Sequence, residues 1–190
     1  MPNQIWKTVY FEKPGSHNTD ETLRLAKERA DELGVRNVAV ASSTGATGVK
    51  ASEIFRDKTL IIVTHVTGFH EPNVQRLTPE NRAILEKNGA KMITAAHAFG
   101  TLGRAINRKF NTIQVDEVIA HVLRLFRSGV KVECEDTCMA TDAGLIKAND
   151  DVIGIGGTGG GADSAILIRS ANTHNFFDMR IREIICKPRM

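Results

Sequence analysis

The chain has 190 residues and a net charge of +3, with 42% hydrophobic and 25% charged residues. This composition is that of an ordinary globular protein, and the length predicts one domain spanning residues 1–190. No apolar run reaches the roughly 18 residues of a membrane helix, and the scattered basic residues and few aromatics favour no nucleic-acid surface. Because the first residues also lack the apolar stretch of a secretion signal, we expect a cytoplasmic protein with neither membrane nor nucleic acid as a partner.

The three cysteines indicate a reducing environment. Cys134, Cys138 and Cys186 are an odd number, and a cytosolic chain keeps its thiols reduced, so we expect no disulfide. The spacing Cys134-x-x-x-Cys138 differs from that of a zinc knuckle, and no second close pair of ligands accompanies it. We therefore expect no metal site.

Cap residues and hydrophobic periodicity divide the first half of the chain into alternating strands and helices. Asn18 followed by Glu21 is typical of a capping box, and Gly34 would end the helix that it begins. Thr78 with Pro79 begins another helix. The predicted elements, in order, are a strand at residues 5–11, a helix at 18–34, a strand at 37–41, a helix at 49–56, a strand at 59–64, a helix at 78–88 and a strand at 91–95.

The second half keeps this rhythm up to residue 156 and then changes. The predicted elements are a short helix at residues 99–106, a longer helix at 115–126, a strand at 130–134, a helix at 137–148, and strands at 151–156, 164–170 and 180–187. Since no long helix separates the last three strands, we expect the sheet to finish with antiparallel strands at one edge. The order predicts a three-layer α/β/α domain with a mostly parallel sheet.

The last predicted strand also indicates how the chain would associate. Ile181 and Ile185 alternate with charged residues there, a pattern typical of an edge strand that pairs between chains. We therefore expect a homodimer.

An apolar strand runs directly into residues 42–48, here called the hydroxyl loop. It contains Ser42, Ser43, Thr44, Gly45, Thr47 and Gly48. Because a helix is expected to follow, its free N–H groups and its dipole would join four hydroxyls in binding an anion such as phosphate. The glycines permit the left-handed turns and the close approach that such a cradle requires. The alternative is an ordinary turn whose hydroxyls cap the helix, although a cap needs only one hydroxyl.

Ligands of an open parallel sheet bind beyond the carboxyl ends of its strands, and the residues at these ends are small and polar here. Besides the hydroxyl loop, they are Thr64, His65, Thr67, Gly68, His97, Phe99, Gly100, Gly156, Gly157, Thr158, Gly159, Gly160, Gly161 and Asp163. His65 and His97 end neighbouring strands, where each could bind a ligand, transfer a proton or serve as a structural residue. We expect all of these residues on one rim, and we assign a catalytic role to none.

Five glycines lie within residues 156–161, here called the glycine loop. Gly154-x-Gly156-x-x-Gly159 has the spacing of a dinucleotide fingerprint, but it precedes a strand rather than a helix, so that interpretation fails. Two interpretations remain, a flexible loop over a flat ligand and a wide turn between two strands. Asp142 and Asp163 are candidates to bind ligand hydroxyls or to cap helices.

Three segments carry a resemblance to a known family. They are Val-Ala-Val-Ala-Ser-Ser-Thr-Gly-Ala-Thr-Gly at residues 38–48, Leu-Ile-Ile-Val-Thr-His at residues 60–65, and Val-Ile-Gly-Ile-Gly-Gly-Thr-Gly-Gly-Gly-Ala-Asp-Ser-Ala at residues 152–165. In this order they resemble a mainly archaeal family of stand-alone proteins built like the C-terminal α/β domain of pyruvate kinase. The resemblance covers essentially the whole chain.

The resemblance implies a ligand for the hydroxyl loop. In pyruvate kinase this domain is regulatory, and the matching loop holds a phosphate of a sugar bisphosphate effector. The stand-alone family resembles proteins that bind flavin mononucleotide (FMN), which implies that the loop holds the FMN phosphate. His65, His97 and residues 156–163 would then face the ribityl chain and the ring.

The expected function is therefore that of a small FMN-binding protein, with a flavin-dependent oxidoreductase as one form of it. The alternative is a non-catalytic sensor of a phosphorylated metabolite. Pyruvate kinase performs its chemistry in a barrel that needs about 200 residues or more by itself, so we expect no pyruvate kinase activity from this chain.

Overall fold

Seven strands hydrogen-bond into one sheet in residues 5–190, the part of the chain that the computed structural model describes. They are β1 (Val9–Phe11), β2 (Asn37–Ala41), β3 (Thr59–Thr64), β4 (Lys91–Thr94), β5 (Asp151–Gly156), β6 (Ser164–Arg169) and β7 (Arg180–Pro188). Their spatial order is β1-β7-β6-β5-β2-β3-β4. Within the described residues only β6 runs antiparallel to its neighbours, so the prediction of a mostly parallel sheet is confirmed.

Helices cover both faces of this sheet and complete the predicted α/β class. They are α1 (Thr19–Glu32), α2 (Ala46–Ile54), α3 (Pro79–Lys87), α4 (Thr101–Phe110), α5 (Val115–Leu123) and α6 (Ser128–Asp142), with short 3-10 helices at Ser16–Asn18, Arg124–Phe126 and Thr173–Asp178. The first three helices pack on one face of the sheet, and α5 and α6 pack on the other. None of the helices in residues 5–190 is long and apolar enough to cross a membrane.

Successive residues of each central strand enter opposite cores. Val38 and Ile62 pack beneath the helices of the first face, whereas Ala39 and Ile61 pack beneath those of the second. Side chains alternate between the faces of a strand, so a strand with helices on both sides must be apolar throughout. This burial explains the unbroken apolar runs that predicted β2 and β3.

Several predicted helix ends occur as expected. The side chain of Thr78 accepts a hydrogen bond from the Asn81 N–H at 3.2 Å, and Pro79 is the first residue of α3. Gly34 and Gly89 follow α1 and α3 with φ angles of +66° and +75°. Glycine adopts this left-handed conformation without the steric cost that a Cβ adds.

The prediction of a strand at residues 130–134 followed by a helix at 137–148 is wrong. A single helix, α6, spans Ser128–Asp142, and the sheet contains no strand from this segment. Val130-Lys131-Val132-Glu133 alternates apolar and polar residues as a half-exposed strand does. In α6, however, both Lys131 and Glu133 are buried, so the alternation does not separate an inner face from an outer one.

Other boundaries differ at the starts of elements. Strand β1 begins at Val9 rather than at residue 5, and α2 begins at Ala46 rather than at residue 49. The Asn18 side chain does not cap α1; its amide donates to the carbonyl of Lys13 at 2.8 Å, because a 3-10 turn precedes the helix. The earlier start of α2 matters most, since it places the end of the hydroxyl loop inside the first helical turn.

Strand β7 is not the edge strand of the sheet that the sequence predicted, because β1 lies outside it. Strand β1 pairs in parallel with β7, with Val9 opposite Cys186, and the Thr8 hydroxyl donates to the carbonyl of Ile184 at 2.8 Å. Residues 180–187 therefore lie inside the sheet, beside β1, and do not form its edge. The homodimer stays a prediction, but β7 no longer supplies its interface.

Candidate functional site

A cavity of about 460 Å³ opens at the carboxyl ends of β2, β3 and β5. From β2 the chain passes through β3 to β4, and it then returns by α4, α5 and α6 to place β5 on the other side of β2. The strand order therefore reverses between β2 and β5, with the chain continuing to β3 on one side of β2 and returning to β5 on the other. Open α/β sheets bind ligands at such a switch point. The hydroxyl loop follows β2 and the glycine loop follows β5, so both loops border this cavity.

The hydroxyl loop combines a helix cap with free polar groups. The Ser42 hydroxyl accepts a hydrogen bond from the Gly48 N–H at 3.0 Å, and Gly48 lies in the first turn of α2. Ser43, Thr44 and Thr47 line the cavity together with Ser42. One hydroxyl thus caps the helix as in the alternative interpretation, and three more line the cavity near the positive end of the α2 dipole.

Neighbouring residues hold the hydroxyl loop in place. The Thr44 carbonyl accepts hydrogen bonds from the Thr78 N–H at 3.3 Å and from the Asn81 amide at 2.9 Å, both at the start of α3. Gly45 has a φ of +93°, and a Cβ there would lie 2.6 Å from both Asn81 Cβ and Leu77 Cδ1. Glycine is therefore required at position 45 by the packing of the protein itself. The loop is fixed before any ligand binds, which lowers the entropic cost of binding.

The glycine loop is crowded at its ends and open in the middle. A Cβ at Gly161 would lie 2.5 Å from Thr19 Oγ1, whereas a Cβ at Gly159 or Gly160 would meet no atom within 4 Å. Gly159 and Gly160 have φ angles of +72° and +142° and line the cavity. The middle of the loop thus offers an open stretch of backbone that a flat ligand can approach closely.

Two aspartates that sequence analysis singled out are occupied elsewhere. Asp163 is fully buried, and its carboxylate accepts from the Gly15 N–H at 2.9 Å and from the Ser164 hydroxyl at 3.0 Å. Asp142, at the exposed end of α6, accepts from the Thr173 N–H at 3.0 Å. Both carboxylates position loops, and neither lines the cavity.

His65 and His97 come together at the cavity wall, with ring centroids 5.3 Å apart. Burial lowers the pKa of both, that of His65 to about 4, so both rings are neutral at pH 7. His97 Nε2 accepts from the Val66 N–H at 3.4 Å, and Phe69 stacks on His65 at a centroid distance of 4.9 Å. The pair supplies a neutral, partly aromatic surface with hydrogen-bonding nitrogens.

The other residues that the sequence predicted for the site fall into three groups: residues that line the cavity, residues behind its wall and residues outside it. Thr64 and Gly157 line it. Buried residues that support the wall from behind are Phe99, Gly100 and Gly156. Those that lie outside the lining on exposed or half-buried loop positions are Thr67, Gly68 and Thr158.

Sequence analysis missed the wall that α6 contributes. Lys131, Glu135 and Asp136 line the cavity, although all three are at least 94% buried. Lys131 Nζ forms an ion pair with Glu135, whose other oxygen accepts from the Phe99 N–H at 2.8 Å. Glu133-Cys-Glu-Asp136 reads in the sequence as a solvated rim. Val130, Cys134 and Cys138 recur at intervals of four, which is typical of a helix face turned towards a core, and this signal could have identified the segment as a helix.

Burial shifts the proton equilibrium of two carboxyl groups of α6. Desolvation raises the pKa of Asp136 well above its ordinary value, and the negative charge of Glu135 raises it further. Desolvation likewise raises the pKa of Glu133, which is fully enclosed and accepts from the Gly156 N–H at 3.1 Å. Within residues 5–190, the buried side-chain atoms without a hydrogen-bond partner include Asp136 Oδ2, Glu133 Oε2 and His65 Nδ1. Asp136 therefore presents an unsatisfied polar group at the cavity, where a ligand could bind it.

The cysteines take no part in this wall. Cys134 and Cys138 are free and buried in α6, and burial raises the pKa of both thiols. Such thiols stay protonated at neutral pH and are poor nucleophiles. Within residues 5–190, no cluster of three or more histidine, cysteine, aspartate or glutamate side chains is arranged to hold a metal ion.

The fold and the cavity together define a class of protein: a doubly wound α/β domain whose strand ends carry a hydroxyl-rich loop at a helix N-terminus. The profile of one family, described as the pyruvate kinase alpha/beta domain, matches residues 20–168. This match spans well over half of the chain, so the chain belongs to the pyruvate kinase alpha/beta domain family, and the predicted resemblance is confirmed.

Solved structures similar to this chain include two pyruvate kinases. A crystal structure of Cryptosporidium parvum pyruvate kinase is 18% identical, with a TM-score of 0.42, over 84% of this chain and 23% of that chain. A second crystal structure of a pyruvate kinase from the same organism is 18% identical, with a TM-score of 0.43, over 84% of this chain and 24% of that chain. The chain thus spans about a quarter of the length of these enzymes.

Proposed function

We propose that the chain is a cytoplasmic FMN-binding protein whose hydroxyl loop holds the phosphate. The observation that carries the proposal is the convergence of the hydroxyl loop, the glycine loop and the histidine pair on one cavity. Its volume of about 460 Å³ lies within the range of roughly 300–1,000 Å³ that is usual for small-molecule sites. The free, buried cysteines are consistent with a reducing compartment.

The placement of the phosphate follows from the two loops. The hydroxyl loop leads into α2, whose N-terminal N–H groups and dipole favour a negative charge. The glycine loop leads into β6, and a strand has almost no dipole to offer. Arg76 and Arg124 line the same cavity and add positive charge around a dianion.

The rest of the cavity fits the uncharged part of the ligand. The neutral rings of His65 and His97 and the open backbone of the glycine loop leave room for a flat, hydrogen-bonding ring and its ribityl chain. Asp136 lines the cavity with a carboxyl oxygen that has no hydrogen-bond partner, and burial raises its pKa, so it can form a hydrogen bond with a polar group of the ring or ribityl chain. In an oxidoreductase form of this proposal the flavin supplies the electron chemistry, and these residues bind and orient it.

The test uses protein as purified from cells. We expect a yellow solution with flavin absorbance, or, for protein purified without ligand, quenching of FMN fluorescence on titration. The absence of both flavin absorbance and FMN quenching would contradict the proposal. Thermal unfolding in the presence of FMN, riboflavin and a series of sugar phosphates tests the alternative, because a ligand stabilises the fold according to its affinity. Stabilisation by a sugar phosphate alone would favour the sensor of a phosphorylated metabolite.

We also propose that this chain does not transfer phosphate between phosphoenolpyruvate and ADP. That reaction requires metal-holding carboxylates and cations around the transferred group. Of the carboxyl groups of the cavity wall, Glu135 is paired with Lys131, and burial raises the pKa of Asp136, which disfavours the charged form that would hold a metal ion. Pyruvate formation by the pure chain, with magnesium and potassium supplied, should equal that of a blank without protein. Pyruvate formation above the blank would contradict this proposal if the rate falls when the chain is removed by affinity depletion.

A further inference from the structure

Residues 102–126, which comprise most of α4, all of α5 and the 3-10 helix after them, expose several large apolar side chains. These are Leu102, Phe110, Ile113, Val115, Val118, Val122, Leu125 and Phe126, here called the apolar face. Their exposed fractions range from 44% at Val118 to 81% at Leu125. Single exposed apolar residues are common on proteins, but eight within 25 consecutive positions are a patch.

The spacing of these residues is that of a buried helix face. Leu102 and Phe110 lie eight positions apart in α4, on the same side of the helix as the half-buried Ile106 between them. Val115, Val118 and Val122 follow one another at intervals of three and four in α5. An amphipathic helix normally turns such a stripe towards a core, whereas here the stripes of both helices face outwards.

Polar groups hold the two helices together on their inner sides. The Asn107 amide of α4 donates to the Glu117 carboxylate of α5 at 3.0 Å, and the same carboxylate accepts from the Gln114 N–H at 3.1 Å. At Gly103 the helices approach so closely that a Cβ would clash with the Asp116 carboxylate. The outward direction of the apolar stripes is therefore fixed by specific contacts and does not arise from a loose packing of the pair.

We propose that a second copy of this chain covers the apolar face, so that two chains form a two-fold symmetric dimer through α4 and α5. At about 150–200 Å² for each large apolar residue, the eight side chains expose roughly 800 Å². The largest apolar patch of a typical monomer is about 300–600 Å², whereas each partner in a standard interface buries about 800 Å². The exposed area thus equals one partner's share.

The chemistry of the face favours a second copy over a lipid surface. A two-fold interface brings the same patch from both chains together, and an apolar patch is complementary to itself. Helices that lie on membranes carry mainly Lys and Arg beside their apolar side. Here α4 carries Arg104, Arg108 and Lys109, but α5 carries Asp116 and Glu117, so the pair of helices is not uniformly basic.

The test is the mass in solution, measured by light scattering and sedimentation equilibrium from micromolar to submillimolar concentration. We expect the wild-type chain at twice its mass of 20.8 kDa, and Phe110→Asp with Leu125→Asp at the mass of one chain. Both positions are at least 67% exposed, so the substitutions leave the fold of the monomer intact, which circular dichroism and thermal unfolding verify. Ile84→Asp, a partly exposed isoleucine of α3 on the other face of the sheet, is the matched control and should remain dimeric.

The outcomes separate the proposal from its rivals. A wild-type chain that is monomeric over the whole range overturns the proposal, and so does a dimer that survives the double substitution but dissociates with Ile84→Asp. Binding of a monomeric wild-type chain to phosphatidylcholine–phosphatidylglycerol vesicles would assign the apolar face to a lipid surface instead. A higher oligomer supports the proposal only if the double substitution reduces its mass. None of these readouts depends on FMN.

Discussion

The helices on the two faces of the sheet differ in which of their side chains are buried. On the face of α1, α2 and α3, apolar side chains such as Leu23 and Leu85 are fully buried, and the charged residues of the helices lie mostly outside. On the other face, α6 buries Lys131, Glu133 and Asp136, while α4 and α5 expose the apolar face. The sheet between them is equally apolar on both sides, so the difference belongs to the helices.

This difference indicates where selection for function has overridden selection for stability. A sequence that specifies a fold agrees at every level, and real proteins break that agreement mainly at functional sites. Buried charges and exposed apolar stripes each lower the stability of an isolated chain. Both occur on the face that bears the α6 wall of the cavity and the proposed dimer interface. The cavity itself lies where the two faces meet, with the hydroxyl loop from one and α6 from the other.

The largest expected effect comes from the hydroxyl loop. Thr44→Val combined with Thr47→Val removes two hydroxyls and keeps the shape of the side chains. A charge-assisted hydrogen bond to a dianion contributes about 1.5–3 kcal/mol, so FMN affinity should fall a hundredfold or more. Riboflavin lacks the phosphate, and its affinity should hardly change. Fluorescence titration of both ligands provides the measurement.

The matched control for this prediction is Thr67→Val. Thr67 is exposed and lies outside the cavity lining, so this variant should bind both ligands as the wild-type chain does. Equal losses for FMN and riboflavin in the double variant, or no loss for either, would place the phosphate elsewhere. The assignment of the hydroxyl loop to the phosphate would then be withdrawn.

A second prediction compares two ion pairs of the same spacing on opposite faces. Lys131 and Glu135 pair within α6 and are about 95% buried, whereas Arg82 and Glu86 pair within α3 at 3.7 Å and are about half exposed. Lys131→Met should lower the free energy of unfolding by about 3–5 kcal/mol, because it leaves a buried carboxylate without its partner. Arg82→Met should cost less than about 1 kcal/mol.

Urea unfolding of the three proteins measures both changes under identical conditions. Similar losses for the two variants would show that the α6 pair is as well solvated as the surface pair. That result would contradict the claim that the two faces differ in how they bury charged side chains. A large loss of stability for Lys131→Met alone would support the claim.

The elements that the sequence predicted correctly are those whose pattern reports burial directly. Strands β2 and β3 are apolar throughout because both of their sides are covered, and the cap at Thr78 marks α3 by its own local chemistry. The hydroxyl loop could also be predicted, because its residues are adjacent in the chain. Sequence reasoning therefore located one half of the cavity by residue number.

The other half could not be predicted because it depends on what covers a helix. In α6 the spacing of the apolar residues marks one helix face, but it does not show which of the polar residues are buried as well. Nothing in the sequence Glu133-Cys-Glu-Asp136 distinguishes a carboxylate that faces solvent from one that is enclosed between the 3-10 helices and the sheet. Periodicity likewise predicted helices in the region of α4 and α5 but not the outward direction of their apolar stripes, because it identifies a face and not its direction.

The smallest expected effect concerns Asp136, and it depends on pH. A carboxyl group whose pKa is raised on folding contributes its full stability below the unfolded pKa of about 4, and that contribution is lost as the pH rises towards the folded pKa. Asp136→Asn has the same shape and does not titrate. The variant should therefore match the wild-type chain near pH 4 and exceed its free energy of unfolding at pH 8, by about 1–3 kcal/mol. Urea unfolding at both pH values gives the difference.

The charges of Glu135 and Lys131 act on Asp136, so the difference between variant and wild type reports Asp136 together with its coupling to these two neighbours. If Asp136 also binds the uncharged part of the ligand, Asp136→Asn will weaken FMN and riboflavin equally, unlike the threonine variant. A substitution that stabilises the chain and weakens both ligands would identify a residue kept for binding at a cost in stability. Equal stability of variant and wild type at both pH values would mean instead that Asp136 is ionised and solvated. The burial of this carboxyl group in α6 would then cost the protein little stability.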